Sequence, residues 1–377
     1  MGKKGVIMAE LKVFVERIHE IKEHPNADRM ELAIIGSEGG YQCCVQKGVF
    51  KDGDLCVYFP VDSILPGPLQ DKIFGNDAKV KLSKNRVKTI RLRGAVSQGM
   101  AIPTNIVPIP VGYGADLTDA LGVTKYAPPQ KNFISGQGQK GGTDRNPNKD
   151  FHKYTDINHL RQYPDALDGK KVIVYEKIHG TNFRAGWCKS PPKTLWNKIK
   201  NFFGKYEGYE FVYGSHNVQL QGRYKDTDFY SKKVGMDIYS DCVRKYKLKE
   251  ILTYGEVIYG EIYGGGVQDN YWYGLKKDEQ RMVVIDVKID GLFLDDYAYT
   301  AFCKYRFPMP PLVYYGVFDR EYIDKVMSMG SFLCNDQKIM EGVVIRPLEE
   351  EVGYMGRMIF KHLNPEYLLQ KGNTENH

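Results

Sequence analysis

No stretch of this 377-residue chain stays apolar for long. Its hydrophobic runs are short, several alternate with polar residues, and breaks bearing glycine or proline separate them. Near the N-terminus LKVFVERI, MELAIIG, YQCCVQ and DLCVYFPV follow one another, divided by EGG, KDG and LPG. A chain patterned in this way hides its apolar faces mainly by pairing strands. No run approaches about 18 uninterrupted apolar residues, so no transmembrane helix is expected.

Composition divides the chain into three. Residues 1–125 carry short strand-like runs with no long helix between them, which predicts a small all-β barrel or sandwich. Residues 126–150 are rich in Gly, Pro, Asn and Lys with almost nothing to bury, and read as a flexible linker or long loop. In residues 151–377 strands and helices mix. KVIVYEKI, EFVYGS, TYGEVIYGEIYGG, RMVVIDVKI and MEGVVIRP read as strands, and the stretches 229–245 and 319–329 as helices. That pattern predicts an α+β domain on antiparallel sheets.

Charge narrows the partners only slightly. Lys and Arg outnumber Asp and Glu by 53 to 46, a net of +7, which suits a polyanion but does not demand one. Seven cysteines, an odd number without any C-x-x-C pair, read as reduced structural residues. The N-terminus lacks the apolar stretch of a signal peptide. A soluble, intracellular protein is the expectation, cytoplasmic and working as a monomer.

Two phrases mark the first domain: HPNADRMELAIIG (His24 to Gly36) and IRLRGAVSQGMAIP (Ile90 to Pro103). They resemble the OB-fold domain that follows the tRNA-binding module of several synthetases, where HPNADxLxL leads into a strand and RGxxSxGM closes the barrel. The resemblance implies a concave, partly basic face for nucleic acid. Lys79, Lys81, Lys84, Arg86, Lys88, Arg91 and Arg93 gather near the closing strand and would bind phosphates without sequence preference. His24 and Asp28 read as turn-formers rather than ligands.

The chemistry lies in EKIHGTNF (Glu176 to Phe183), a K-x-x-G phrase after an apolar strand. Alone it is weak, since a lysine on a strand is usually a solvated surface residue. A lysine that forms a phosphoramidate needs its amine neutral, its base recognised, a metal against the phosphate charge and a further cation on the α-phosphate. Candidates for each follow in order: YGSHNVQLQGR (213–223), VIYGEIYGG (257–265), MVVIDVKIDGLF (282–293), EGVVIRP (341–347) and RMIFKHLNPEYL (357–368). Glu261 and Glu341 by themselves would read as solvated strand ends. The order of six phrases outweighs that reading.

The series resembles the ordered motifs of covalent nucleotidyltransferases, and its wording is closest to the ATP-dependent RNA ligases, in particular the nick-sealing group with an N-terminal OB domain. The resemblance implies a C-terminal nucleotidyltransferase domain of ATP-grasp-like antiparallel sheets. It implies ATP as cofactor, AMP as covalent adduct, Mg²⁺ or Mn²⁺, and RNA or an RNA-containing nicked duplex as partner. Lys177 then matches the nucleophile. Glu176 and Ile178 match backbone positions lining adenine, and Asn182 a polar residue near phosphates and metal. Glu261 matches a carboxylate on ribose or a metal-bound water, and Ile285 an apolar group packed on adenine. Glu341 matches the metal-organising carboxylate and Lys361 the cation on the α-phosphate. Val344 falls within the nucleotide-binding set.

The chain also departs from that pattern. Many relatives have K-x-K in the last motif, whereas this chain has Leu363 at the second position, with Arg346 and Arg357 as candidate stand-ins. Many have an arginine where this chain reads Ser215-His216-Asn217, leaving His216 or Arg184 for that role. PPKTLWNKIKNFFGK, between Cys188 and Tyr206, matches nothing in the family. Two rivals remain: a DNA ligase or capping-type nucleotidyltransferase, disfavoured by the short 362–377 segment after Lys361, and a non-catalytic RNA-binding protein with a degenerate nucleotide pocket.

Overall fold

The computed structural model describes residues 11–75, 82–107, 110–126, 148–190, 208–220, 237–268, 270–353 and 356–370, with isolated positions between 192 and 202. Lys79, Lys81, most of the expected linker and nearly all of the unmatched insert lie outside the described residues.

The N-terminal unit is a five-stranded antiparallel sheet curled into a nearly closed barrel, ordered Tyr41–Gln46, Met30–Ile35, Phe14–Glu23, Leu55–Phe59, Met100–Pro103. Its longest strand serves both halves. Residues 14–17 pair with 55–58 and residues 18–23 with 31–35, and a register shift between Ile18 and Glu20 bends the strand where it changes partner. Alternate residues face inward, so Val15, Val57, Phe59 and Leu65 fill one part of the interior and Ile18, Ala33, Ile35, Cys43 and Cys56 the other. Each such fully buried aliphatic or aromatic side chain contributes about 1.5–3 kcal/mol. The two OB-like phrases hold each other: His24 Nε2 lies 3.1 Å from the Leu92 carbonyl, and Asn26 donates to the Arg93 carbonyl at 3.1 Å. The turn reading of His24 thus gains a long-range partner.

Two antiparallel sheets form the C-terminal unit. One has six strands, ordered Gln219–Leu220, Tyr209–Ser215, Thr181–Lys189, Glu256–Gly264, Gln280–Ile289, Leu292–Phe293. The other has five, ordered Asn158–His159, Phe360–Leu363, Gly342–Pro347, Lys171–Lys177, Leu312–Val317. Its one parallel pairing is the short contact of 158–159 with 360–361. Asp319 caps the helix Arg320–Met327 as its spacing predicts, accepting from the Tyr322 amide. The helix expected over 229–245 is seen from Ile238 to Lys245, capped by Asp237, and residues 221–236 lie outside the described set.

The units meet along a polar seam. Arg161 donates to Gln98, Arg320 to the Gly39 carbonyl, and Arg91 pairs with Glu366. Tyr41 lies against His159, which meets His362 edge-on.

Candidate active site

The chain passes from one C-terminal sheet to the other between Lys177 and Thr181. Gly180 permits this crossing: a Cβ there would stand 2.2 Å from the Ile262 carbonyl oxygen. Gly342 has a similar duty, since a Cβ would lie 2.3 Å from the His362 carbonyl. Both glycines bring strand ends close enough for the side chains beside them to converge.

Strand register then assembles the site. Lys177 pairs with Gly342, which sets Glu341 beside the lysine. Asn182 pairs with Glu261, and Val344 with Lys361. Lys177, Glu341, Asn182, Glu261, Val344 and Lys361 line one cavity of about 980 Å³, together with Glu176, Ile178, His179, His216, Ile285 and Arg346. That volume is near the upper end of the roughly 300–1,000 Å³ usual for small-molecule sites. Ile285 enters the wall through a bulge. Tyr259 opposes Asp286 and Gly260 opposes Val284, so Ile285 has no partner in the ladder.

Lys177 Nζ lies 2.7 Å from Glu341 Oε1, and His179 Nδ1 lies 3.2 Å from Glu341 Oε2. Burial acts to depress the Lys177 pKa, but Glu341 and then Glu261 outweigh it and raise it above its ordinary value. Burial acts to raise Glu341, but the neighbouring Lys177 ammonium and the contact with His179 hold it well below the carboxylate range. Glu261, buried and facing Glu341, is pushed up to about 8 despite Lys177. The resting lysine is therefore an ammonium in an ion pair, whereas a nucleophile needs it neutral.

The remaining expected residues separate into those at the cavity and those away from it. The main chain of Glu176 and Ile178 lines the wall, while their side chains turn inward. The Glu176 carboxylate, raised by burial, accepts from Ser331 Oγ at 2.6 Å and from the Phe332 and Leu333 amides. Ile178 packs among Tyr263, Tyr273 and Leu363. His216 lines the cavity with Asp156, whose Oδ1 is 3.9 Å from its Nε2, and burial lowers its pKa. Arg184 does not line it. Two residues beyond Asn182 on the same strand face, it lies over Phe151 and donates to the Ser215 and Phe151 carbonyls, so it braces the loop that carries His216. Of the two candidate stand-ins, Arg357 is held away from the cavity by Glu350 and Asp286, while Arg346 lines it. Leu363 is 1% exposed and lies in the core beneath Ile178 and Tyr367.

From sequence alone His179 reads as a residue that satisfies its loop, and the structure sets it against Glu341 in the cavity. Its amide donates to Tyr273 Oη at 2.8 Å, its Nδ1 lies 3.2 Å from Tyr367 Oη, and Tyr271 and Tyr367 meet its ring edge-on. Its place inside EKIHGTNF was the available signal. Gln268, whose amide donates to the Gly180 carbonyl at 2.5 Å, had none beyond its glycine-rich loop.

Among the described residues no three or more His, Cys, Asp or Glu gather as a closed metal site. The cavity does hold hard oxygen donors. Glu261 and Glu341 face it, and Asn182 Oδ1 is buried there without a hydrogen-bond partner. Two carboxylates and an amide oxygen fit Mg²⁺ or Mn²⁺, which commonly complete their shell with water and substrate phosphate.

Among the described residues no helix is long and apolar enough to cross a membrane. No curated protein matches the chain. An OB-fold domain model matches residues 12–104. Solved structures of Naegleria gruberi RNA ligase share the fold. A lysine-to-methionine mutant with AMP and Mn is 21% identical with a TM-score of 0.68, covering 94% of this chain and 97% of that one. An arginine-to-alanine mutant with ATP and Mn is 22% identical with a TM-score of 0.68, covering 95% and 98%. The same ligase with PPi is 22% identical with a TM-score of 0.67, again covering 95% and 98%. The RNA ligase family model matches residues 170–363, more than half of the chain and the whole span from the strand of Lys177 to Leu363, so the chain belongs to the RNA ligase family.

Proposed function

We propose that this chain is an ATP-dependent RNA ligase that seals 3′-OH/5′-phosphate breaks through a lysyl-AMP on Lys177 and an AMP-capped RNA. One observation carries the reading: a buried lysine, ion-paired to Glu341, shares a single cavity with Glu261 and Lys361 in a chain of the RNA ligase family. The AMP, ATP, PPi and Mn held by the solved relatives support the choice of nucleotide and metal. The proposed division is an OB domain over 1–125, a connecting segment over 126–150 and an adenylyltransferase domain over 151–377, acting as a monomer inside the cell.

The residues divide the work as follows. Lys177 Nζ attacks the α-phosphorus and pyrophosphate leaves. The AMP then passes to the RNA 5′-phosphate, and the 3′-OH attacks that phosphate and expels AMP. Lys177 must first lose a proton, and the interaction that retains it is the 2.7 Å contact with Glu341. Moving Glu341 off Nζ, with Lys361 positive nearby, lowers the affinity of the amine for that proton. Glu341, Glu261 and Asn182 would hold a divalent cation, which would supply positive charge against the phosphate oxygens. Lys361 faces the α-phosphate, and Arg346 and His216 line its surroundings. Ile285 and Val344 pack on the base, and the main chain at 176 and 178 reads its edge.

Incubation with α-labelled ATP tests the reading: an acid-labile adduct is expected in the wild type and none in Lys177→Ala. A labelled Lys177→Ala protein overturns the assignment. Sealing of nicked duplexes with ribose or deoxyribose on each side of the break then determines whether RNA is required at the 3′-OH.

A further inference from the structure

The catalytic cavity is not walled by the C-terminal unit alone. Lys125 and Tyr126, where the barrel ends, also line it. Their position is firmly determined. Thr124 and Lys125 pair with Ser63 and Ile64, and the Tyr126 amide donates to the Asp62 carbonyl at 2.8 Å. The Arg86 guanidinium lies 3.7 Å from the centroid of the Tyr126 ring and is itself ion-paired to Asp62. Asp62 is 1% exposed and has a left-handed backbone, φ 73°. Strain of that kind, about 1–3 kcal/mol, persists where its surroundings hold it, and it concentrates at functional sites. A buried, strained carboxylate thus fixes an arginine, and the arginine fixes an aromatic ring at the wall of the cavity.

We propose that Tyr126, with Lys125 beside it, is the subsite for the terminal nucleotide of the strand that delivers the 5′-phosphate. This rests on the RNA ligase reading above. The chemistry favours RNA over the mononucleotide. Base and phosphates of ATP are served by side chains gathered about Lys177, all from the C-terminal unit. The strand that bears the 5′-phosphate has to enter from outside, past the wall that the OB barrel supplies. An aromatic ring stacks any base, and a lysine next to it in sequence meets the backbone charge without reading sequence. Arg86, held by Asp62 and stacked on the ring, belongs to the fold of this platform rather than to the phosphate-binding surface expected of it.

The test compares three rates in the full chain: lysyl-AMP formation from ATP without RNA, AMP transfer to a 5′-phosphorylated nick, and sealing of a pre-adenylated nick. Tyr126→Ala is expected to weaken AMP transfer by about tenfold more than lysyl-AMP formation, through KM for the nicked duplex, as loss of one base stack predicts. Tyr126→Phe restores transfer, and Arg86→Gln lowers it in the same direction as Tyr126→Ala. Equal losses in lysyl-AMP formation and transfer place Tyr126 in the ATP site or the fold and overturn the proposal, as does an Ala variant that transfers normally. A wild-type chain that forms no lysyl-AMP would instead remove the ligase reading itself, a different result.

Discussion

Two buried ionic clusters flank the strand Gly342–Pro347, and they are built on opposite terms. At its start, Glu341 meets Lys177 and His179, and the group opens onto the cavity with Glu261 close by. Near its end, Arg346 meets Asp286 and Asp296, and Arg357 meets Asp286 and Glu350. The second cluster carries more hydrogen bonds, although Arg346 Nε and Nη1 have no hydrogen-bond partner among the described residues. Tyr154 donates to Asp286, Tyr175 donates to Asp296, the Val287 amide donates to Asp286, and the arginines lie over Tyr299 and Phe293. In the first, Glu341 meets Lys177 and His179, and among the described residues Asn182 Oδ1 has no hydrogen-bond partner. A buried cluster whose opposite charges are matched within the protein holds a fold together. One that turns its carboxylates and an unpartnered amide oxygen to a cavity suits a ligand that brings positive charge.

The sharpest break between the two clusters comes at Lys177. Lys177→Ala is expected to abolish labelling by α-labelled ATP while the chain stays folded, which circular dichroism and an adduct assay check together. The opposite pattern is expected of Asp286→Asn. Two arginines lose a shared partner, and urea unfolding should show a loss of about 3–5 kcal/mol. Comparable losses of stability from both variants would erase the distinction. Next in size is Glu341→Gln, expected to slow lysyl-AMP formation by about 10²–10³-fold, the scale of removing one preorganised electrostatic contact. Single-turnover labelling measures it.

The smallest effect is on pH. Burial raises Glu261 from its ordinary 4.5 to about 8, so between those values the folded state holds a proton that the unfolded chain has lost. Stabilisation from that proton is present below about 4.5 and is lost as pH rises through 8. Activity has the opposite sign, because the ionised carboxylate appears only above that range. Lysyl-AMP formation is expected to climb by about tenfold between pH 7 and 8.5, as an ionisation near 8 requires. In Glu261→Gln the climb should flatten, and an unchanged profile in that variant would assign the ionisation to another group.

Much of the fold was legible because its signals are local. Short apolar runs marked the strands that carry Lys177 and Glu261 and the one that follows Glu341, and the spacing after Asp319 marked a helix start. The site was legible in outline because its residues sit at fixed places in short phrases. What stayed hidden depended on contacts distant in sequence. Arg184 and Asn182 share a strand face, and only packing shows that Phe151 and Ser215 draw the arginine aside. Arg346 and Arg357 were equal candidates until Glu350 and Asp286 claimed Arg357. Tyr126 looked like the first residue of a linker, yet Arg86 and Asp62 fasten it to the catalytic cavity.

The sequence by itself determined which chemical groups the chain has and the order in which they come: a lysine before a glycine crossing, carboxylates at the edges of two strands, a last lysine before a short helix. Tertiary structure alone decided which of these groups meet, through registers that set Lys177 against Gly342 and Lys361 against Val344. It also decided their charge. Protonation depends on burial and on the nearest opposite charge, and neither exists until strands distant in sequence have paired.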